Sequence, residues 1–444
     1  MEEKQVIKVV KFGGSSLASA EQFEKVGNIV HSDESRRYVV PSAPGKRNAK
    51  DTKVTDMLYF CYDLACKGKD FSDGLAKIKK RYQEIIEGLK LNLSLDDQFA
   101  EIEQNFKNKV GRDYAASRGE YLNGIVMARY LGYPFIDAED VIRFREDGNL
   151  DMQVTLKLLQ DCLYNKENAV IPGFYGATAD GKVKTFSRGG SDVTGSLVAA
   201  AVVADVYENW TDVSGMMITD PRIIEDAKPI KTITYRELRE LAYMGATVLH
   251  EDAIFPVRSA GIPINIRNTN APQEPGTMIV QTTCMKPEYT ITGIAGKKGF
   301  VAINIEKAMM NAEIGFGRKV LQVFEDNRIS FEHMPSGIDT MTILVHQDEF
   351  EQNEQNVITG INHAVHPDHI ELESDMALIA VVGRGMRSTR GTSGRIFSAL
   401  AHARVNVKMI DQGSSEWNII IGVKNQDFEA AIKAIYDIFV RTQI

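Results

Sequence analysis

Short apolar runs alternate with helical patterns through the first two-thirds of the chain, and this alternation most narrows what the chain can fold into. "RRYVVPSA", "NAVIPGFYG" and "DVYENWTDV" read as strands, while "DDQFAEIEQNFKNKV" and "GEYLNGIVMARYLG" carry the periodicity of helices. Strands that alternate with helices pair in parallel, with helices on both faces, and such sheets gather ligands in the loops at the carboxyl ends of their strands. After "NAPQEPGTMIV" the style changes, and from about Tyr289 the chain reads as smaller βαββαβ units, which puts a boundary near Lys286. Within that last third, "VAINIE…GFGRKVLQVFEDNRISFEHMPSG…TMTILV" repeats as "ALIAVVG…GTSGRIFSALAHARVNVKMIDQGSS…WNIIIGV". Each copy is followed by a helix, giving two ferredoxin-like units of roughly seventy residues.

Composition excludes several classes. The chain has 444 residues, 43% hydrophobic and 25% charged, enough for about two to four domains. A net charge of -8 argues against a protein built to coat nucleic acid. "MEEKQ" has no apolar signal core and "SLVAAAVVADV" is too short to cross a bilayer, so a cytoplasmic chain without membrane or nucleic-acid partners is expected. Cys61, Cys66, Cys162 and Cys284 lack a CxxC pair and read as small buried hydrophobes, and no metal site is expected.

No stretch matches GxxxxGK[ST], and no GxGxxG follows a strand, so the chemistry must come from other loops. In "KFGGSS" a strand ends at Lys11 and Phe12. Gly13, Gly14 and Ser15 then let the backbone approach an anion ahead of a helix whose positive end would face the same place. Lys11 adds a point charge suited to phosphate oxygens. By pattern alone a plain Gly-Gly turn with a solvated lysine explains this stretch better, because such turns are common. "TFSRGGSDVTGSLVAAAVVADV" repeats the arrangement with Arg188, Ser191 and Asp192 packed together. The guanidinium can clasp a carboxylate or phosphate, and Asp192 can fix a lysine, although Ser191 or Asp192 could equally cap the helix. "NWTDVSGMMITDPR" puts Thr211, Asp212 and Arg222 on a turn that could hold a base and ribose. "SRGEYLNG" puts Glu120 at the start of an apolar helix, where the dipole would stabilise its charge.

The order of these clusters resembles aspartate kinase almost end to end: "KFGGSS", "VVPSAPGK", "TDML", "SRGEYL", "FSRGGSDVT", "TDVSGMMITDPR", "MGATVLHEDAI", then two tandem repeats that look like ACT domains. The resemblance implies an α/β fold. Its amino-acid-kinase part would be a carbamate-kinase-like three-layer αβα sandwich over residues 1–286, followed by ACT domains at 287–370 and 371–444, the second also serving dimerisation. It implies transfer of the γ-phosphoryl group of MgATP to the side chain of L-aspartate, giving 4-phospho-L-aspartate on the way to lysine, methionine and threonine. Lys11 and Asp192 would be catalytic, with Ser42, Thr55, Glu120, Arg188 and Ser191 on the substrate. ATP would meet Lys11, Phe12, Gly13, Gly14, Ser15, Thr211, Asp212, Met217, Arg222 and Thr247. Three positions depart from the pattern: Thr247 stands where many relatives have lysine, Glu251 where they have proline, and Met217 where many have tyrosine.

The repeats imply feedback inhibition by an end-product amino acid, lysine ahead of threonine, in a homodimer or dimer of dimers formed through the ACT domains. Met310, Phe316, Gly317, Phe331 and Glu332 match the effector loop and the strand beside it, with Glu332 set to pair with an amine. On alternation alone Glu332 is a solvent-facing strand residue. Rival readings are a kinase for another acidic amino acid, a catalytically dead amino-acid sensor, and a fusion to homoserine dehydrogenase. The last is disfavoured because the chain ends at Ile444 soon after the second repeat.

Overall fold

The computed structural model describes residues 5–187, 189–246, 249, 251–283 and 287–442. Two units emerge: the first holds Met1–Met216, Pro229–Tyr235 and Val248–Thr283, the second Met217–Lys228, Arg236–Thr247 and Cys284–Ile444. The expected boundary near Lys286 lies outside the described residues.

The strands in chain order are β1 Lys8–Phe12, β2 Arg36–Pro41, β3 Arg143–Phe144, β4 Ala169–Val170, β5 Tyr175–Thr178, β6 Val183–Thr185, β7 Val206–Thr211, β8 Thr232–Thr234, β9 Ile264–Asn268 and β10 Thr277–Val280 in the first unit. Seven of them form one sheet in the order β4-β2-β1-β7-β9-β10-β8, with every pairing parallel except β9 with β10. This is the predominantly parallel α/β sheet that the strand–helix alternation predicts. β3, β5 and β6 make a separate small sheet, so the strand that leads into "SRGG" lies outside the main one.

Because β1 is central and covered on both faces, it is apolar except where a charge has a partner. Val10 and Phe12 enter a core with Phe23, Val39 and Trp210, and the Phe12 ring stacks on Trp210 at 6.0 Å. Lys11 therefore points to the other face, where the Gly190–Ala201 helix lies against the sheet. That helix is buried at almost every position, and after Asp192 it carries no charged residue.

The helix expected after the glycines, over "SAEQFEKVGNIV", forms at Ala20–His31, and a four-residue 3-10 turn, Gly14–Leu17, fills the interval. Two other local expectations change. Glu120 is no helix start: the helix runs Arg112–Leu131 and Glu120 is buried in its middle. A Cβ on neighbouring Gly119 would stand 2.8 Å from that of Ala43, so glycine there serves close packing. Of the described cysteines only Cys61 is buried, whereas Cys66 is exposed and Cys162 half-buried, both lying at the C-terminal ends of helices. Cys284 lies outside the described residues.

In the second unit β11 Gly293–Glu306, β12 Phe331–His333, β13 Thr340–His346, β14 His369–Val382, β15 Met409–Asp411 and β16 Asn418–Lys424 form one antiparallel sheet, ordered β12-β13-β11-β14-β16-β15. The long strands β11 and β14 pair along their whole length, with a register shift between Lys298 and Phe300. The half of β11 from Phe300 pairs with β13, whereas Gly293–Lys298 pairs with the half of β14 that continues to β16. The two repeats are thus interleaved, not consecutive: the strand that precedes the first repeat completes the second. The expected 370/371 boundary falls inside β14 for that reason. Among the described residues no helix is long and apolar enough to cross a membrane.

Candidate functional site

Four loops converge at the carboxyl ends of β1, β2, β4 and β7. Backbone bonds tie them together: Ser42 N–H donates to the Phe12 carbonyl at 3.1 Å, Gly13 N–H to Trp210 at 3.0 Å, Gly45 N–H to Gly14 at 2.7 Å and Gly173 N–H to Pro41 at 3.1 Å. The first two loops touch so closely that only glycine fits both. A Cβ on Gly14 would meet the Ala43 carbonyl at 2.8 Å, and one on Gly45 would meet Gly14 at 2.5 Å. The second glycine of "KFGG" therefore serves loop-to-loop contact, while a Cβ on Gly13 would meet only ordinary contacts.

At the floor of these loops Lys11 Nζ stands 2.6 Å from Asp192 Oδ1, with both side chains largely buried. Asn209, the register partner of Lys11 on β7, joins them: its Nδ2 donates to Asp192 Oδ1 at 2.9 Å, and its Oδ1 accepts from Lys11 at 3.4 Å. The helix carrying Asp192 is capped by Gly189, and no side chain caps it. Capping therefore leaves both Ser191 and Asp192 unexplained. Ser191 is buried against Gly173, where no larger residue would fit.

The second buried carboxylate is Glu120. The Ala43 N–H donates to it, yet its Oε2 has no partner among the described residues, and burial pushes its carboxyl up from 4.5 to about 8. Beside it Asn123 Nδ2 donates to the Ser42 carbonyl at 2.6 Å, so Glu120 and the β2 loop share one wall. Thr55 is half-buried at the first turn of the Val54–Cys66 helix. A cation on a mobile stem, a paired acid, two backbone loops and a dry carboxyl with a free oxygen can receive a molecule that bears both phosphate and ammonium groups.

Residues 6–268 match the amino acid kinase family, and residues 379–439 match an ACT domain. Aspartokinase 3 of Bacillus subtilis (strain 168) is 42% identical over 453 residues, spanning 98% of each chain. The chain belongs to the aspartokinases of the amino acid kinase family. The crystal structure of Clostridium acetobutylicum aspartate kinase superposes with a TM-score of 0.92 at 51% identity, over 98% of this chain and 100% of that one. E. coli aspartokinase III in complex with lysine and aspartate shares the fold at a TM-score of 0.71 and 24% identity, covering 97% and 99%. This aspartokinase is accordingly a phosphotransferase with a carboxyl group as acceptor.

The remaining anticipated residues are distributed as follows in this aspartokinase. Arg188 and Thr247 lie outside the described residues. Phe12 has its ring in the core, leaving only its backbone to the loop, and Ser15 is exposed. Thr211 is half-buried at the end of β7, with its hydroxyl 3.2 Å from exposed Asp212. Met217 and Arg222 belong to the second unit, where Arg222 forms an ion pair with Asp220 at 2.6 Å.

Within the second unit Met310 and Phe316 are part of the core of the first repeat, and Gly317 follows at the start of the Phe316–Asp326 helix. Phe331 is exposed. Glu332 does not face solvent as strand alternation suggests: its side chain is 9% exposed and meets His346 Nε2 at 3.1 Å. It also accepts from the Tyr243 hydroxyl, which burial and this acid push up to about 12. Those partners lie on β13 and on the Tyr235–Tyr243 helix, beyond the reach of a local pattern. Sequence reading also missed Asn209; its signal is two adjacent polar residues, Glu208 and Asn209, inside the buried strand "VYENW".

Proposed function

We propose that the chain transfers the γ-phosphoryl group of MgATP to the side-chain carboxylate of L-aspartate, giving 4-phospho-L-aspartate, the first step toward lysine, methionine and threonine. The observation that carries this reading is the buried Lys11–Asp192 pair at the floor of the four loops. The acceptor carboxylate is ionised at neutral pH, so no general base is needed and catalysis rests on positioning and charge neutralisation. Lys11 swings from Asp192 to the transferring phosphoryl oxygens, while the backbone of Gly13, Gly14 and Ser15 lines the phosphate path. Asp192 stays behind and organises the cationic groups around the transfer.

Glu120 takes the α-ammonium of aspartate. A neutral buried acid with a partnerless oxygen becomes an ion when a cation docks on it, which favours an amino acid over a simple diacid. Arg188 takes the α-carboxylate, and Ser42, Thr55 and Ser191 add hydrogen bonds. Phe12, through its backbone, Thr211 and Asp212 meet the nucleotide. The protein acts in the cytoplasm.

The interleaved repeats are the regulatory part, inhibited by an end-product amino acid, lysine ahead of threonine, bound near Met310, Phe316, Gly317, Phe331 and Glu332. A homodimer, or a dimer of dimers, forms through these repeats. In support, Met309, Ile314 and Ile338 expose 69%, 98% and 69% of their surfaces on the first repeat. The test is a steady-state assay with MgATP and, side by side, aspartate, glutamate and acetylglutamate, each repeated with lysine or threonine. Aspartate-dependent turnover suppressed by lysine is expected; turnover with glutamate alone would overturn the substrate.

A further inference from the structure

We infer that Asn209 is a positioning residue for phosphoryl transfer: its amide holds Asp192 in place when Lys11 leaves the pair for the phosphate. The inference rests on the reading of Lys11 and Asp192 given above and adds a third residue to it. β7 is covered on both faces, and Asn209 is only 4% exposed, so an apolar side chain is what the strand pattern favours there. A buried amide is costly unless both its ends are bonded. Here the two ends have different partners, since Nδ2 can only donate and Oδ1 can only accept.

The two bonds are unequal. The donor contact to Asp192 Oδ1 is 2.9 Å, whereas the acceptor contact from Lys11 is a slack 3.4 Å. A second residue of the same strand face, Tyr207, places its hydroxyl 3.4 Å from the Asp192 carbonyl, and its ring packs against Gly195, where a Cβ would come within 2.6 Å. Asp192 is thus anchored to β7 by side chain and backbone. Lys11 reaches the same point on a four-carbon stem and is the partner free to move. Both Lys11 and Asn209 meet Asp192 on Oδ1, and among the described residues no hydrogen bond ends on Oδ2. When Lys11 departs, the amide keeps Oδ1 occupied, so Asp192 neither rotates after the lysine nor is left without a donor.

The test compares Asn209→Leu and Asn209→Asp with wild type, measuring kcat and both KM values from pH 6 to pH 8. Loss of a hydrogen bond to a charged group predicts for Asn209→Leu a kcat lowered about tenfold to a hundredfold, with both KM values within about threefold of wild type. In Asn209→Asp the introduced carboxyl can donate to Asp192 only when protonated. Its kcat relative to wild type therefore rises as pH falls, a dependence that mere packing would not create. If Asn209→Leu does not fold, the nearly isosteric Asn209→Asp decides alone. An Asn209→Leu enzyme within twofold of wild-type kcat, or an Asn209→Asp deficit constant across the pH range, overturns the inference. Lys11→Ala assayed in parallel separates the layers: normal turnover in that variant overturns the site reading and this inference together. A dead Lys11→Ala beside a normal Asn209→Leu overturns only the latter.

Discussion

On one face of β7, Glu208 is buried among Arg36 at 2.8 Å, Arg267 at 3.7 Å and Lys8 at 3.9 Å, and the Trp210 indole N–H donates to it at 2.8 Å. Arg36 and Arg267 also lie over the Trp210 ring, at 5.3 and 4.6 Å. On the other face, one residue along, Asn209 meets Asp192 and Lys11. Both clusters are buried, charged and built on the same strand. The Glu208 cluster is saturated, with donors on both carboxylate oxygens, and it binds strands and helices to one another. Among the described residues the Asp192 cluster puts both donors on one oxygen, and Glu120 nearby leaves one oxygen without a partner. Burial and charge alone do not distinguish a reacting centre from a structural knot; unfilled bonding capacity beside open loops does.

The largest effect is expected at Lys11. Lys11→Ala is expected to lower kcat by about a hundredfold to a thousandfold or more, the scale seen when one donor to a reacting oxygen is removed. Circular dichroism should show the fold retained, because the lost pair lies at a loop floor and not in the apolar core. Near-normal turnover would remove Lys11 from the phosphate path.

Glu120 sharpens the contrast through pH. The unfolded chain loses this proton near 4.5 and the folded chain near 8, so between those values the folded state holds more protons. Stability therefore falls as pH rises from about 5 to about 8 and levels off above. Aspartate binding ionises Glu120 and releases the proton, so KM for aspartate should fall over the same window as pH rises. Glu120→Gln is expected to raise that KM by about tenfold to a hundredfold and to flatten both dependences. Thermal melts and initial rates at pH 5.5 and 8 check this; a pH-independent wild-type KM would contradict it.

A smaller effect is expected in the second unit. Glu332 is already paired with His346 and Tyr243, so an amine arriving there displaces existing partners and gains less than at Glu120. Glu332→Ala should weaken inhibition by lysine about tenfold or less, with the uninhibited rate close to wild type. Unchanged inhibition would take Glu332 out of the effector site.

The parts of this account that were legible in the sequence are local. β1 running into "KFGG", and the Gly190–Ala201 helix starting at "GGSD", follow from apolar runs and glycines within a dozen residues. What eluded reading depends on distant partners. Glu120 looked like a helix terminus because the residues that bury it, on the β2 loop, are some eighty positions away. Glu332 alternates like a surface residue, yet Tyr243 covers it from a different part of the chain. The interleaving of the repeats is invisible to repeat matching, since "GIAGKK" resembles neither copy and acquires its role only by pairing with β14. Asn209 was legible only as an oddity, a polar residue in a buried strand, until register placed it beside Lys11.

The most direct test measures kcat per folded molecule and thermal stability for Asp192→Asn and Glu208→Gln in one experiment. Asp192→Asn is expected to lose about a hundredfold or more in kcat with a nearly unchanged melting temperature. Glu208→Gln should lose about 3–5 kcal/mol of stability while each folded molecule turns over almost normally. The reverse pattern, an active Asp192→Asn enzyme or a fully stable but inactive Glu208→Gln, would contradict the assignment of the two faces.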